Sequence, residues 1–278
     1  MDHRIVNEPT GFFKKAAKLE LKGRWLEAAV AFGIYVVMIG IVSFIVDIIG
    51  VPSLNIVSGI YLLIIIGAAI VGLYAYFMRL MRRQNTNLRD CFEGFEDFGR
   101  SLMLGLHMMI RIFLWTLLFI IPGIIAAYRY SMAPLLFRDH PDWTPAQCIN
   151  ESKRLMVGNK GSLFTLDLSF IGWYILALLP AIIFQSAYQV ASGADVSAFG
   201  SVGFPISLIV LIFEIPILFV GAYVTSARVV FYEELNRPVE VYTAGRGFHP
   251  YDDSGSYGAY DPNGFSGDFN GDDLFDDM

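Results

Sequence analysis

Long apolar runs, each about the length of a membrane-spanning helix, dominate this 278-residue chain. Four of them stand apart, at residues 28–46, 56–78, 163–184 and 204–227. A helix needs about 20 apolar residues to cross the hydrocarbon of a bilayer. Because backbone groups in lipid must find partners within their own segment, such runs predict helices. We therefore expect an all-α, multi-pass helical membrane bundle.

The composition excludes an ordinary soluble domain. Charged residues make up 17% of the chain, against about 25% in soluble domains. The net charge of −6 comes from the C-terminal tail, since residues 247–278 hold eight Asp and no Lys or Arg. Outside that tail, the chain has 20 basic residues and 18 of its 26 acidic residues. The membrane body is therefore weakly basic.

A further apolar stretch, residues 102–137, is too long for one crossing and short for two. Its 36 residues would measure about 54 Å as one helix. We interpret it as a hairpin of two spans, 102–121 and 122–137, that turns at Ile121-Pro122-Gly123, because proline disfavours an unbroken helix. The alternative is a re-entrant or interfacial element, with four full spans elsewhere.

Lysine and arginine occur in alternate loops. The segments 1–25, 79–101 and 138–162 are basic, whereas the links 47–55 and 185–203 contain no Lys or Arg. The positive-inside rule places the basic loops in the cytoplasm. We therefore expect about six transmembrane helices with both termini in the cytoplasm.

Three regions follow from these patterns. Residues 1–25 are expected to form a cytoplasmic interfacial helix, because Lys14, Lys18 and Lys22 recur at four-residue spacing on an amphipathic segment. Segments 145–160 and 90–98 are similar candidates. The transmembrane domain then covers 26–235. Residues 236–278 are rich in Gly, Asp and aromatic residues, a composition that predicts a disordered acidic cytoplasmic tail able to bind a basic protein partner.

Ionisable residues inside or beside the apolar runs are the candidate site: Glu214, Arg111, Arg129 and Asp167. A carboxylate near mid-membrane is costly, so Glu214 is expected to face a partner or a cavity, and Arg111 is its natural partner. Two interpretations stay open. The pair is structural, or it is a transport site, since Pro216 would loosen the helix beside Glu214. Arg129 and Asp167 are expected at the membrane interfaces.

No catalytic or metal-binding pattern stands out. The four histidines lack paired metal-ligand spacing, and no glycine-rich phosphate loop follows a strand. Cys91 and Cys148 match no metal spacing, and cytoplasmic loops disfavour a disulfide. We therefore expect no enzymatic activity, no metal, no cofactor and no nucleic-acid partner.

A weak internal repeat, G-x-Y-x-x-x-x-R, closes two of the predicted spans. It occurs at residues 72–79 and again at 221–228. Both copies end at a basic loop, so a duplication would be parallel rather than inverted. Packing and anchoring at one membrane interface would also select Gly, Tyr and Arg at these positions.

Several stretches resemble an uncharacterised family of bacterial integral membrane proteins, common in Gram-positive species and known only as a domain of unknown function. The residues that carry the resemblance are Phe92-Glu93-Gly94-Phe95 with Phe98-Gly99; Leu114-Trp115, Ile120 to Ile124 and Tyr130-Ser131-Met132-Ala133-Pro134; Ser152-Lys153, Gly158, Lys160 and Leu168 to Trp173; and Phe231-Tyr232-Glu233. The resemblance spans roughly residues 12–235 and implies a bacterial cytoplasmic membrane, without an established activity.

Taken together, these patterns indicate a non-enzymatic membrane protein that scaffolds or regulates other membrane components. The alternative is a small-solute, ion or lipid transporter that uses Glu214. Membrane lipids are expected contacts; the acidic tail either binds a protein partner or is a solvated tail that prevents aggregation, and the oligomeric state stays open.

Overall fold

The computed structural model describes residues 5–49, 54–192 and 215–236, and every regular element in these ranges is helical. The α-helices are α1 (Thr10–Glu20), α2 (Trp25–Ile49), α3 (Asn55–Met81), α4 (Phe98–Leu118), α5 (Ile120–Tyr130), α6 (Ala133–Asp139), α7 (Pro145–Leu155), α8 (Lys160–Leu168), α9 (Ile171–Ser192) and α10 (Ile215–Leu235). A 3-10 segment, Leu88–Phe95, joins α3 to α4.

Six helical stretches in the described residues are long and apolar enough to cross a membrane. They are Trp25–Val46, Asn55–Met81, Phe98–Leu118, Ile120–Asp139, Lys160–Phe184 and Ile215–Leu235. The predicted all-α, multi-pass membrane bundle is therefore confirmed. Glu214, residues 193–213 and the tail from 237 onward lie outside the described residues, so the predictions made for them stay predictions.

The core of the bundle lies toward one end of the helices, which we call the packed end. Two helices form its centre, because residues 67–81 of α3 and 221–235 of α10 are mostly buried and the two helices pack on each other. Around them pack α1, the 3-10 segment and α6, and α7 packs on α6. These shorter helices cover the polar side chains at the ends of the long ones.

The opposite, apolar end exposes large hydrophobic side chains. Ile45 of α2, Ile56 of α3 and Leu176 of α9 are 46%, 71% and 62% exposed. Exposed apolar surface on this scale is unfavourable in water, and in a bilayer it contacts lipid chains. This end of the helices is thus suited to contact with lipid chains, which agrees with the hydropathy of the helices.

The predicted amphipathic helices are present, and the structure shows what covers their apolar faces. In α1, Phe13, Ala16 and Ala17 are buried against the protein, and α1 contacts α10 and α8. Tyr223 donates a hydrogen bond to the carbonyl oxygen of Lys14 at 3.0 Å. In α7, Cys148 and Ile149 are buried in the same way. These apolar faces therefore pack on neighbouring helices.

The hairpin turns at Phe119, three residues before Pro122, the centre of the predicted turn. Phe119 is extended, with φ −159° and ψ 150°, and separates α4 from α5. Pro122 then falls in the first turn of α5, where no intrahelical partner exists for its missing N–H. The prediction that Pro122 itself breaks the helix is therefore wrong, because proline is tolerated at a helix start. The second arm is also divided, into α5 and α6.

The predicted span 163–184 likewise consists of two helices, α8 and α9, which meet at Ser169 and Phe170. The break leaves carbonyl groups without helical partners. Lys14 donates to the carbonyl oxygen of Ser169 at 3.0 Å and so satisfies one of them. Burial lowers the pKa of this lysine.

Glycines let the 3-10 segment and α4 approach α3 closely. A Cβ atom on Gly72 would overlap the carbonyl oxygen of Cys91, and one on Gly94 would overlap that of Ala68. Farther along α3, Gly67 and Gly105 face each other, and neither has room for a side chain. Close backbone approach through small residues is a common way for membrane helices to pack.

Replacing Gly72 by alanine should therefore destabilise the protein by about 2 kcal/mol, because overpacking of a tight core typically costs 1–3 kcal/mol. Gly59 lies on the same helix with nothing near its missing side chain, so Gly59→Ala should keep or slightly raise stability. Thermal unfolding of both variants in detergent measures the difference. Equal melting temperatures would contradict the close packing of the 3-10 segment on α3.

The two cysteines are free thiols in the packed end. Burial, assisted by the charge of Asp90, raises the pKa of Cys91 to about 12, and burial raises the pKa of Cys148 to about 11. Both thiols therefore stay protonated at pH 8, and the thiolate is the reactive form. A maleimide should label neither cysteine in the folded protein and both after denaturation. Fast labelling of the native protein would be inconsistent with this packing.

Candidate functional site

Charged side chains within or beside the candidate spans fall into two groups, one neutralised by other described side chains and one not. Asp167 belongs to the first. Its carboxylate accepts hydrogen bonds from Arg228, Nε at 3.0 Å and Nη2 at 2.7 Å, and from the hydroxyl of Tyr128 at 3.0 Å. Asp167 is 14% exposed and Arg228 is 34% exposed. This pair joins α8 to α10, and Tyr128 adds α5.

The sequence missed Arg228 as the partner of Asp167. In the sequence analysis Arg228 is the first residue after the last predicted span. It lies 61 residues from Asp167 in the chain. The signal that could have found it is the repeat, because Arg79 ends the first copy as Arg228 ends the second. Arg79 also pairs with carboxylates, those of Asp90 and Glu93. Both arginines thus fix a neighbouring element to a central helix.

A network of arginines and carboxylates connects the helices at the packed end. Arg82 donates to both oxygens of Asp139, at 2.7 and 2.9 Å, and to Glu233 at 2.8 Å. The hydroxyl of Tyr232 donates to Asp139 at 2.9 Å. The pKa of Arg82 is raised: burial opposes its charge, but Asp139 and Glu233 together outweigh that effect. This network ties α3, α6 and α10 together.

Arg83 extends the network to α1 through Glu20, whose carboxylate lies 2.9 Å from Nε. Arg83 has φ +52°, a left-handed conformation that non-glycine residues seldom adopt. It occupies the position after the helix cap, and Gln84 donates back to the carbonyl of Arg79 at 2.9 Å. This is the hydrogen-bonding pattern that commonly ends a helix with glycine. The ion pair with Glu20 offsets the backbone strain.

The second group is a set of three cations without an acid, which we call the cation cluster: Arg111 on α4, Arg129 on α5 and Lys153 on α7. Nη1 of Arg111 is shielded from solvent and has no hydrogen-bond partner within the described ranges. Arg129 is exposed. Lys153 donates to the neutral amide oxygen of Asn150 at 3.0 Å. None of the three forms an ion pair in the part of the chain that the structure describes.

Helix α7 brings Lys153 to the hairpin. Thr144 and Gln147 form a reciprocal capping box at its start, with Pro145 in the first turn. At its other end, Ser152 donates to the carbonyl oxygen of Arg129 at 3.0 Å and accepts from the backbone N–H of Met132 at 3.3 Å. These bonds hold the last turn of α7 against the junction of α5 and α6.

Lys153 lies close enough to Arg111 and Arg129 for their charges to act on it. The pKa of Lys153 is lowered, first by burial and then by the positive charges of Arg111 and Arg129. Like charges so placed destabilise the folded chain unless an anion joins them. Of the four predicted site residues, the structure thus places Arg111 and Arg129 near the same lysine and Asp167 in a separate ion pair. The predicted pairing of Arg111 with Glu214 stays a prediction.

Comparison with known protein families gives a match. A family described as "Protein of unknown function (DUF975)" matches residues 12–126 and again residues 116–238. The chain belongs to this family, and the resemblance to an uncharacterised membrane-protein family is confirmed. No curated protein and no solved structure matches the chain.

Removing the charge of Asp167 should weaken the fold, because Arg228 would keep a partly buried charge without a partner. Breaking a buried pair typically costs about 3–5 kcal/mol, and we expect about 2 kcal/mol here since the guanidinium keeps some solvent contact. Asp167→Asn should therefore lower the melting temperature in detergent, and Asp167→Asn with Arg228→Met should regain part of the loss.

The exposed pair Arg24–Glu27 provides the matched control. Glu27 is 59% exposed, so Glu27→Gln should change stability by well under about 1 kcal/mol. If the Asp167 and Glu27 variants unfold at the same temperature, the ion pair between α8 and α10 has no structural role.

Proposed function

We propose that this protein is a non-enzymatic scaffold or regulator of other membrane components, held in a bacterial cytoplasmic membrane with both termini in the cytoplasm. The observation that carries this proposal is the packed end. Its short helices form one continuous body, joined by Arg79, Arg82 and Arg83 to the carboxylates around them. A rigid polar platform on a membrane anchor suits the binding of partners at the membrane surface.

The pairing of Asp167 supports the same proposal. A carboxylate that couples ion movement must exchange its partner during the cycle. Asp167 is instead held by two bonds from Arg228 and one from Tyr128, which suits a fixed structural role. The positive-inside rule supports the orientation, since the basic loops 79–101 and 138–162 belong to the packed end.

A crosslinked pull-down from native membranes tests the scaffold role. We expect full-length protein to recover a partner at near-equal abundance, and a chain truncated after Gly245 to lose it. The matched control keeps the tail length but replaces its eight Asp after residue 246 by Asn, which separates charge from length. If full-length protein recovers no stoichiometric partner, the scaffold proposal is overturned.

A transporter is the second candidate, and one observation favours it. Arg111 is a shielded cation without an acid in the described part of the chain, and Glu214 is the carboxylate that the sequence offers. If the two form a coupling site, Glu214→Gln should abolish flux of a solute or ion into liposomes and spare folding. Glu27→Gln, a charge loss at an exposed position, should leave flux unchanged.

A further inference from the structure

We propose that the cation cluster, Arg111, Arg129 and Lys153, binds the phosphate of an anionic lipid headgroup at the base of the α4–α5 hairpin. The proposal goes beyond the scaffold role and does not depend on it. It concerns a site built from three helices, one cation from each, with α7 packed on both arms of the hairpin.

The other arginines of the packed end differ from those of the cation cluster in their partners. Five arginines there bond carboxylates: Arg79, Arg82, Arg83, Arg138 and Arg228. The cation cluster has no such partner among the described residues, and Nη1 of Arg111 is both shielded and unbonded. A shielded donor of this kind is costly unless a ligand satisfies it. An anion with several acceptor oxygens would bond all three side chains at once.

The two arginines of the cation cluster lie at similar distances from the tip of the hairpin. Arg111 lies eight residues before the turn at Phe119, and Arg129 lies ten residues after it. At 1.5 Å per residue, both are about 12–15 Å from the tip. Half of a 30 Å hydrocarbon core is about 15 Å. In the re-entrant alternative, in which the hairpin enters only one leaflet, both arginines would therefore lie at the level of the headgroups, and the lipid site requires that alternative.

The surface of the hairpin between the cation cluster and the tip is apolar and exposed. Every residue from 113 to 121 is exposed, and Leu117, Ile120 and Ile121 are each 72% or 73% exposed. Helix α5 has only 11 residues, about 16 Å, which is half of a crossing. The tip thus offers a surface for acyl chains directly beside the cations. This arrangement favours a lipid over a free phosphate ion.

The test is native mass spectrometry of the detergent-purified full chain, titrated with phosphatidylglycerol. We expect Arg129→Gln with Lys153→Gln to weaken phosphatidylglycerol binding by about 30-fold, since each cation near anionic lipid contributes a several-fold gain. Both residues are at least partly exposed, so this variant should fold. Its melting temperature without lipid checks that it does.

The matched control removes two cations that lie elsewhere on the packed end. Lys15 and Arg89 are exposed on α1 and the 3-10 segment, and Lys15→Gln with Arg89→Gln causes the same loss of charge. This control should bind phosphatidylglycerol as the unmodified chain does. Equal weakening in both variants would show attraction by net charge alone and would overturn the proposal.

Two further titrations identify the source of the phosphate. Phosphatidylcholine with the same acyl chains should bind at least tenfold more weakly, because its headgroup has no net charge. Inorganic phosphate at millimolar concentration should not displace phosphatidylglycerol. Displacement by inorganic phosphate, or equal binding of the two lipids, would refute the assignment to an anionic lipid.

Discussion

Three arginines at the end of α3 hold the packed end together. Arg79 bonds the 3-10 segment, Arg82 bonds α6 and α10, and Arg83 bonds α1. Partly buried ion pairs of this kind add little net stability, because removing charges from water offsets most of the attraction. They add specificity instead: the 3-10 segment, α1 and α6 each have one position in which a carboxylate meets an arginine. The glycine contacts along α3 then allow the 3-10 segment and α4 to approach closely.

The sequence predicted an all-α bundle of about six long apolar helices, because a 20-residue apolar run has few alternatives in a bilayer. It placed the hairpin turn at Pro122, since it could not show that Phe119 would become extended and leave proline at a helix start. It also could not pair Asp167 with Arg228, which is distant in the chain. Periodicity found the amphipathic helices, but the neighbour that covers an apolar face depends on tertiary packing. The structural role of Glu214 stays a prediction.

The two groups of charges suggest different relations to the membrane. The carboxylates around Arg82 and Arg228 balance the charges of these two arginines within the protein. The cation cluster lacks that compensation within the described chain. Its electrostatic state therefore depends on what surrounds the hairpin, and the anionic lipid content of the membrane becomes a variable to which the molecule responds.

The uneven distribution of packing has a mechanical consequence. The long helices are joined firmly at the packed end, whereas at the other end Ile45, Ile56 and Leu176 present large exposed surfaces to their surroundings. A thicker or thinner bilayer can then change the tilt of α2, α3 and α9 about their fixed ends at a modest energetic cost. A change in membrane thickness would therefore exert a torque on α3, whose three arginines hold the 3-10 segment, α1, α6 and α10.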